Sequence, residues 1–174
     1  MDRKKETTQI KKESVKYIDV NQLFFDSLRK DYEGFNTWFK NKQIQNVQAY
    51  VTKNQQNQIT SFLMLKEEGI GEEYSCFEKP FQPAKRMKIC TFKVEDTGKK
   101  IGELFIEIIM KEAIEKEVDE IYVTTFAKQK ALLHLLQQHE FEVDTYKKTK
   151  NGDGKIEKEI ILVKRLNNNV NEIG

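Results

Sequence analysis

A strand pattern that runs through a glycine-containing loop straight into a helix pattern is the feature that most constrains the fold of this chain. Residues 87–94 alternate in the manner of a strand. Its predicted faces are Met87, Ile89, Thr91 and Lys93 on one side and Cys90, Phe92 and Val94 on the other. After the loop, apolar residues recur every three or four positions, which predicts a helix with a broad apolar stripe. The stripe comprises Ile101, Leu104, Phe105, Ile106, Ile108, Ile109, Met110 and Ile114. A helix that is apolar over so wide an arc is expected to be buried against a sheet.

The segments on either side of this unit alternate between strand and helix patterns. Before it, a strand is predicted at 15–20, two short helices follow, and two strands over 47–65 are joined by a polar turn. After it come a strand at 119–126, a leucine-rich helix, and a hairpin whose turn contains two glycines, Gly152 and Gly154. The predicted order, β-α-α-β-β-β-α-β-α-β-β, is typical of an α/β or α+β fold. The long connection at 66–86 is open to two interpretations, a functional loop or a partly ordered insertion.

Length and charge limit the organisation and the partners of the chain. Its 174 residues suffice for one domain, which we expect at 15–166 between a polar arm at 1–14 and a polar tail at 167–174. The 30 Lys and Arg residues against 28 Asp and Glu residues give a net charge of +2, which removes any general case for a basic nucleic-acid-binding protein. The basic residues near the start, at 3–5 and 11–12, give slight support to a nucleic-acid partner. Nucleic acid therefore stays open as a partner but is disfavoured.

Several classes of protein are not expected from this sequence. No run approaches about 18 consecutive apolar residues, so a membrane span is not predicted, and the polar start lacks the apolar core of a signal peptide. Cys76 and Cys90 lie far apart without a CxxC motif, which favours two reduced thiols. His134 and His139 lie on a leucine-rich segment with no nearby Cys or paired His, so no metal is expected. We therefore expect a soluble, cytoplasmic protein.

The loop at 98–102 has the composition of a phosphate-binding turn. Gly98 and Gly102 allow close backbone approach, and the first N–H groups of the following helix have no partner within the helix. These groups and the helix dipole favour an anion, to which Lys99 and Lys100 add positive charge. A purely structural strand-to-helix turn has the same pattern. A Walker loop does not fit, since no Lys-Ser or Lys-Thr follows Gly102, and the third glycine of a Rossmann fingerprint is missing.

With this loop in mid-chain, preceded by a hairpin and followed by β-α-β-β, the sequence resembles the GNAT superfamily of acyl-CoA-dependent N-acetyltransferases. The resemblance covers about 15–166 in element order and 87–141 in detail. It implies a mixed, mainly antiparallel central sheet flanked by helices on both faces. It also implies acetyl-CoA as co-substrate and an amine-bearing acceptor, either a small molecule or a protein Lys.

The resemblance assigns the co-substrate to the central unit. The pyrophosphate loop of the family, Arg/Gln-x-x-Gly-x-Gly/Ala, corresponds here to the six residues Thr97, Gly98, Lys99, Lys100, Ile101 and Gly102. Gly102 matches the final glycine, whereas Thr97 replaces the opening Arg or Gln and Lys100 the middle glycine. The strand backbone that bonds the pantetheine arm corresponds to Phe92, Lys93 and Val94. The Asn near the start of the next helix becomes Gln129, and the usual Tyr acid becomes Leu136.

The catalytic side chain remains unassigned by the sequence. Acyl transfer to an amine needs a proton acceptor, donors at the developing oxyanion, and alignment of the two reactants. Glu67 and Glu68 are the candidate bases, with solvated loop acids as the alternative. Tyr122 is the candidate acid for the leaving thiolate, with half-buried packing as the alternative.

The predicted function is transfer of an acetyl group from acetyl-CoA to an amine by direct attack in a ternary complex. Two alternatives stay open at this stage. One is a catalytically weak GNAT-fold module that binds acyl-CoA or a protein, and the other is a toxin-like acetyltransferase that acts on aminoacyl-tRNA. Homodimer formation is left open as well.

Overall fold

In the described part of the chain, the strands form one seven-stranded sheet in the order β1-β2-β3-β4-β5-β7-β6. The computed structural model describes residues 9–96 and 100–166. The strands are β1 Lys11–Ser14, β2 Gln48–Lys53, β3 Ile59–Glu68, β4 Arg86–Val94, β5 Glu120–Phe126, β6 Glu142–Lys150 and β7 Ile156–Arg165. All neighbours pair antiparallel except β4 and β5, which are parallel.

Four α-helices cover the two faces of this sheet. They are α1 Asp26–Asp31, α2 Phe35–Ile44, α3 Ile101–Glu115 and α4 Lys130–Gln138. One buried cluster joins α3 and α4 to one face, on which Leu63 of β3 lies. A second cluster joins α1 and α2 to the other face through Phe62 and Met64, the residues on either side of Leu63. The predicted mixed, mainly antiparallel sheet with helices on both faces is therefore confirmed.

The first strand lies earlier than the sequence suggests. The strand predicted at 15–20 is wrong, because Val15–Tyr17 forms a 3-10 turn whereas Lys11–Ser14 pairs with β2. The side chain of Ser14 caps that turn by accepting a hydrogen bond from the N–H of Lys16 at 3.2 Å. The hydrophobic pattern did not indicate β1, because β1 is a short edge strand whose residues are largely exposed.

Two details of the central unit also differ from the predicted pattern. The register between β3 and β4 shifts at Met64/Leu65, so that Met64 lies opposite Thr91 and Leu65 opposite Ile89. This bulge at Cys90 places Phe92 and Val94 on the α3 face with Ile89, and not on the face of Cys90 as strict alternation predicted. In α3, Leu104 and Ile114 belong to the predicted stripe but lie on its margin and are 39% and 65% exposed.

The connection between β3 and β4 is ordered and packs on the sheet. Its aromatic residues Tyr74, Phe77 and Phe81 cover Tyr122 of β5 on the α1/α2 face. Arg86 at the start of β4 stacks on this cluster, with its guanidinium carbon 5.0 Å from the Tyr74 ring and 4.5 Å from the Phe81 ring. The connection therefore has a defined structure and covers part of one face of the sheet.

Candidate functional site

The parallel strands β4 and β5 pair only over the first half of their length. Their last paired residues are Ile89 and Val123. Beyond this point β4 continues to pair with β3 as far as Val94, and β5 continues to pair with β7 as far as Phe126. Among the described residues the two strands therefore diverge, and the backbone polar groups that face the gap lack a ladder partner there.

A cavity of about 520 Å³ occupies this gap. It is lined by residues 88–94 of β4 and 123–126 of β5, by Gly102 of α3 and by the first turns of α4. It is also lined by α1, the loop after it and α2, which lie on the opposite face of the sheet. Because one cavity touches helices from both faces, it passes through the sheet at the gap between the strands.

On the α3/α4 side, the cavity meets the first turn of α3. Gly102 lies so close to α4 that a Cβ atom there would be 2.9 Å from Cδ2 of Leu135. Lys100 precedes the helix with φ +53°, a left-handed conformation that favours glycine, and its side chain makes no capping hydrogen bond. As in any α-helix, the first N–H groups of α3 have no partner within the helix, and they lie at the edge of the cavity.

The residues predicted to bind the co-substrate differ in their position relative to the cavity. Phe92, Lys93, Val94, Gly102 and Gln129 line the cavity. Lys100 and Ile101 flank it at the start of α3, where Ile101 is buried in the core. Thr97, Gly98 and Lys99 lie outside the described residues, so that part of the loop prediction stays a prediction.

The side chain of Lys93 offers no free charge to the cavity, because its ammonium group is already bonded within the protein. Its ammonium group donates hydrogen bonds to the carbonyl oxygen of Phe24 and to Ser27 Oγ, the latter at 2.7 Å, and it lies 3.2 Å from a Glu95 carboxylate oxygen. The side chain therefore fastens β4 to the segment that begins α1.

On the α1/α2 side, the cavity ends at a buried carboxylate. Glu159 of β7 is 1% exposed and lines the cavity. Tyr32, in the loop after α1, donates its phenol hydrogen to Glu159 Oε2 at 2.8 Å, and Thr149 donates its hydroxyl to Oε1 at 2.5 Å. Lys147 lies opposite Glu159 in β6, but none of the described residues forms an ion pair with Glu159. The carboxylate is held by two hydroxyl groups and faces the cavity.

Burial controls the protonation of two other groups in the cavity lining. Burial, followed by the charge of Glu159, raises the pKa of the Tyr32 phenol well above its usual range, so this group stays protonated and acts as a hydrogen-bond donor. Burial likewise raises the pKa of the Cys90 thiol. Cys90 is therefore a poor nucleophile at neutral pH.

The catalytic candidates named from the sequence lie outside the cavity lining. Glu68 is 4% exposed and accepts hydrogen bonds from the phenols of Tyr74, at 3.0 Å, and Tyr122. Burial and the bond to Glu68 raise the pKa of Tyr122. Glu67 forms an ion pair with Lys85 at 3.4 Å. These residues support the β3–β4 connection, and Leu136, at the position of the usual acid of the family, is fully buried in the core.

Sequence reasoning missed Glu159 and Tyr32. A signal for Glu159 was present, because alternation places it on the same strand face as the buried Ile161 and Val163. For Tyr32 no such signal exists, since its position depends on the packing of α1 against a strand that lies 127 positions away.

Metal-type side-chain clusters and membrane-spanning helices are both absent from the described residues. No group of three or more His, Cys, Asp or Glu side chains is arranged to hold a metal ion within 9–96 and 100–166. In the same part of the chain, no helix combines the length and the apolar character needed to cross a membrane.

Comparison with known proteins gives matches in structure alone. No protein-family model matches the chain, and no curated protein matches it by sequence. Among solved structures, Arabidopsis thaliana NAA60 in complex with a bisubstrate analogue superposes with a TM-score of 0.68 at 14% identity, over 91% of this chain and 99% of that one. A GNAT family acetyltransferase from Elizabethkingia anophelis with acetyl-CoA bound gives a TM-score of 0.60 at 13% identity, over 93% and 100%. This chain has the GNAT acetyltransferase fold.

The GNAT fold match extends over nearly the whole domain. The ribosomal-protein-S5-alanine acetyltransferase from Vibrio fischeri superposes with a TM-score of 0.66 at 11% identity, over 94% of this chain and 95% of that one. The resemblance stated from the loop and the order of elements is thereby confirmed for the fold.

Proposed function

We propose that this protein is an acetyl-CoA-dependent N-acetyltransferase that transfers the acetyl group directly to an amine in a ternary complex. The observation that carries the proposal is the single cavity that passes through the sheet between β4 and β5. Such a cavity lets two substrates approach one point from opposite faces of the sheet, which is what direct transfer requires.

The α3/α4 side suits the co-substrate. The free edge of residues 90–94 offers N–H and C=O groups to the amides of a pantetheine arm, as an added strand would use them. The first turn of α3 offers unpaired N–H groups and the positive end of the helix dipole to a pyrophosphate. Gly102 leaves the backbone accessible at that point.

The chemistry then requires few side chains. The amine nitrogen attacks the thioester carbonyl carbon, the C–N bond forms, the C–S bond breaks, and the thiolate takes up a proton. Backbone N–H groups at the gap stabilise the negative charge on the carbonyl oxygen. In this proposal Glu159 receives the ammonium group of the acceptor and takes its proton, directly or through one water.

Glu159 is assigned this role because of its charge environment. Three carboxylates line the α1/α2 side of the cavity. Asp31 forms an ion pair with Lys128, and Glu33 lies 4.0 Å from the ammonium of Lys150. Glu159 is the one of the three without an ion pair among the described residues, so its charge is available to a cationic ligand.

Calorimetric titration with acetyl-CoA tests the co-substrate half of the proposal. Wild type is expected to bind, and Gly102→Arg to lose binding, since the new side chain must pass Leu135 and enter the cavity. Gly69→Arg is the matched control, because open space surrounds Gly69 and its binding should match that of wild type. Absence of binding to wild type, or equal binding by Gly102→Arg, would contradict the proposal.

One observation favours a second candidate, an acyl-CoA-binding module without turnover. Leu136 replaces the usual tyrosine acid of the family and is 0% exposed, so no proton donor stands at that place. Thiol release from acetyl-CoA in the presence of mixed amines separates the two candidates. Release that depends on the amine rejects the binding module, and binding without release rejects the enzyme.

A further inference from the structure

We infer that the acceptor of this site is a compact small-molecule amine and not an extended polypeptide. The inference rests on the proposed N-acetyltransferase function and narrows the class of its second substrate. It follows from the way in which the protein's own segments occupy the outer strand and the loop that border the acceptor side of the cavity.

The outer edge of β6 is already occupied in its middle, at 145–147. Phe77 forms an isolated antiparallel bridge with Lys147, and the Glu78 N–H donates to the carbonyl oxygen of Tyr146 at 2.8 Å. The next N–H, of Lys79, donates to Thr145 Oγ1 at 2.8 Å. An extended peptide commonly binds by adding a strand to such an edge, and the β3–β4 connection takes that place here.

Ion pairs fasten this connection to the hairpin. Glu78 lies 3.2 Å from the ammonium of Lys158 in β7, and Lys79 lies 3.4 Å from a carboxylate oxygen of Asp144 in β6. Behind it, the aromatic cluster of Tyr74, Phe77 and Phe81 packs on the sheet. The connection is therefore anchored on both flanks.

The end of α1 and the loop after it contact the turn end of the hairpin. The Glu33 N–H donates to the carbonyl oxygen of Lys150 at 3.0 Å, and the Gly152 N–H donates to that of Lys30 at 2.7 Å. A Cβ atom on Gly152 would lie 2.5 Å from the carbonyl oxygen of Arg29, so only glycine permits this approach. Tyr32, the residue before Glu33, donates its phenol hydrogen to Glu159 of the same hairpin.

The two contacts border the acceptor side of the cavity. A peptide that passes along the hairpin would have to displace backbone hydrogen bonds in the middle of β6 and at its C-terminal end. A small amine needs only the α1/α2 side of the cavity, whose total volume of about 520 Å³ it shares with the co-substrate arm. On that side the amine meets Glu159, a carboxylate that has no ion pair among the described residues.

The test measures thiol release from acetyl-CoA with two sets of acceptors. One set contains small primary amines, such as ethanolamine, putrescine, tyramine and glucosamine. The other contains short peptides with a free N-terminus or with an internal Lys behind a blocked N-terminus. The kcat/KM of the best small amine is expected to exceed that of the best peptide by about tenfold or more.

The outcomes separate this inference from the proposed function. A peptide that is used as well as the best small amine overturns the inference and leaves the proposed function standing. An absence of release with every acceptor, despite acetyl-CoA binding, overturns the proposed function and the inference with it.

A glycine variant tests the physical cause. Gly152→Ala should push the hairpin away from α1 and raise peptide kcat/KM relative to that of the small amine, whereas Gly71→Ala, in open space, should leave the ratio unchanged. A folded Gly152→Ala protein with an unchanged ratio would show that this contact does not exclude peptides. If Gly152→Ala fails to fold, the wild-type comparison still decides the inference.

Discussion

The phenol of Tyr32 donates a 2.8 Å hydrogen bond to Glu159 Oε2 and so ties the loop after α1 to β7, 127 positions later in the chain. Thr149 holds the other carboxylate oxygen at 2.5 Å. Together the two hydroxyl groups orient a buried negative charge on the α1/α2 side of the cavity. The shape and the charge of the acceptor side thus depend on one contact between distant segments.

Removal of the phenol hydroxyl of Tyr32 tests how much this hydrogen bond contributes to the free energy of unfolding. We expect Tyr32→Phe to lower the free energy of unfolding by about 1–3 kcal/mol, because one oxygen of a buried carboxylate loses its donor. Chemical denaturation measures the change, with Tyr17→Phe as control, since Tyr17 is 81% exposed. Equal stability of the two variants would contradict the assigned contact.

Neutralisation of Glu159 tests its role in transfer. Glu159→Gln keeps the shape but removes the proton acceptor, so the rate constant for acetyl transfer should fall by about 100-fold or more. The dissociation constant of acetyl-CoA should stay unchanged, because Glu159 lies on the α1/α2 side. Glu157→Gln is the matched control, two positions earlier and outside the cavity lining. Equal transfer rates in both variants would remove Glu159 from the mechanism.

Substitution of Tyr122 separates packing from catalysis. Because its phenol bonds to the buried Glu68 outside the cavity lining, Tyr122→Phe should lower the free energy of unfolding by about 1–3 kcal/mol. Its kcat for acetyl transfer should remain within about twofold of wild type, less than the 10²–10⁴-fold of a lost proton donor. A large loss of kcat at full folding would instead support the catalytic role considered from the sequence.

The two thiols should differ in reactivity with pH. Burial raises the pKa of Cys90, so its thiolate fraction is small at neutral pH and grows only at more alkaline pH than for an ordinary thiol. Cys76 is exposed and serves as the internal control. Mass spectrometry after iodoacetamide treatment should show Cys76 modified first, and acetyl-CoA should slow the modification of Cys90. Equal rates at neutral pH would contradict the burial of Cys90.

The left-handed backbone conformation of Lys100 can be tested by its effect on the free energy of unfolding. At φ +53° a lysine is strained by about 1 kcal/mol relative to glycine, so Lys100→Gly should raise the free energy of unfolding by about that amount. Lys111→Gly, at an exposed position inside α3, should lower it by about 1 kcal/mol. Denaturation of both variants measures the difference, and a loss of stability in Lys100→Gly would show that its conformation carries no such strain.

Much of the fold could be predicted because it depends on local pattern. The broad apolar stripe of α3, the glycine-containing turn of the last hairpin, with Gly154 at φ +77°, and the order of elements follow from side-chain periodicity and turn chemistry. The errors lie where a neighbour overrides that pattern. The bulge at Cys90 reverses the faces of β4, and pairing with β2 recruits the polar residues Lys11–Ser14 into a strand.

By itself, the sequence determined the class of fold and the place of the strand–loop–helix unit, because both follow from interactions between residues close in the chain. Only the tertiary structure decided which polar groups share the cavity. Tyr32, Thr149 and Glu159 meet through the packing of α1 against the final hairpin, and the separation of β4 from β5 depends on strand pairing on their other sides. Such contacts arise from the balance of many distant burial and hydrogen-bond energies, which no local spacing encodes.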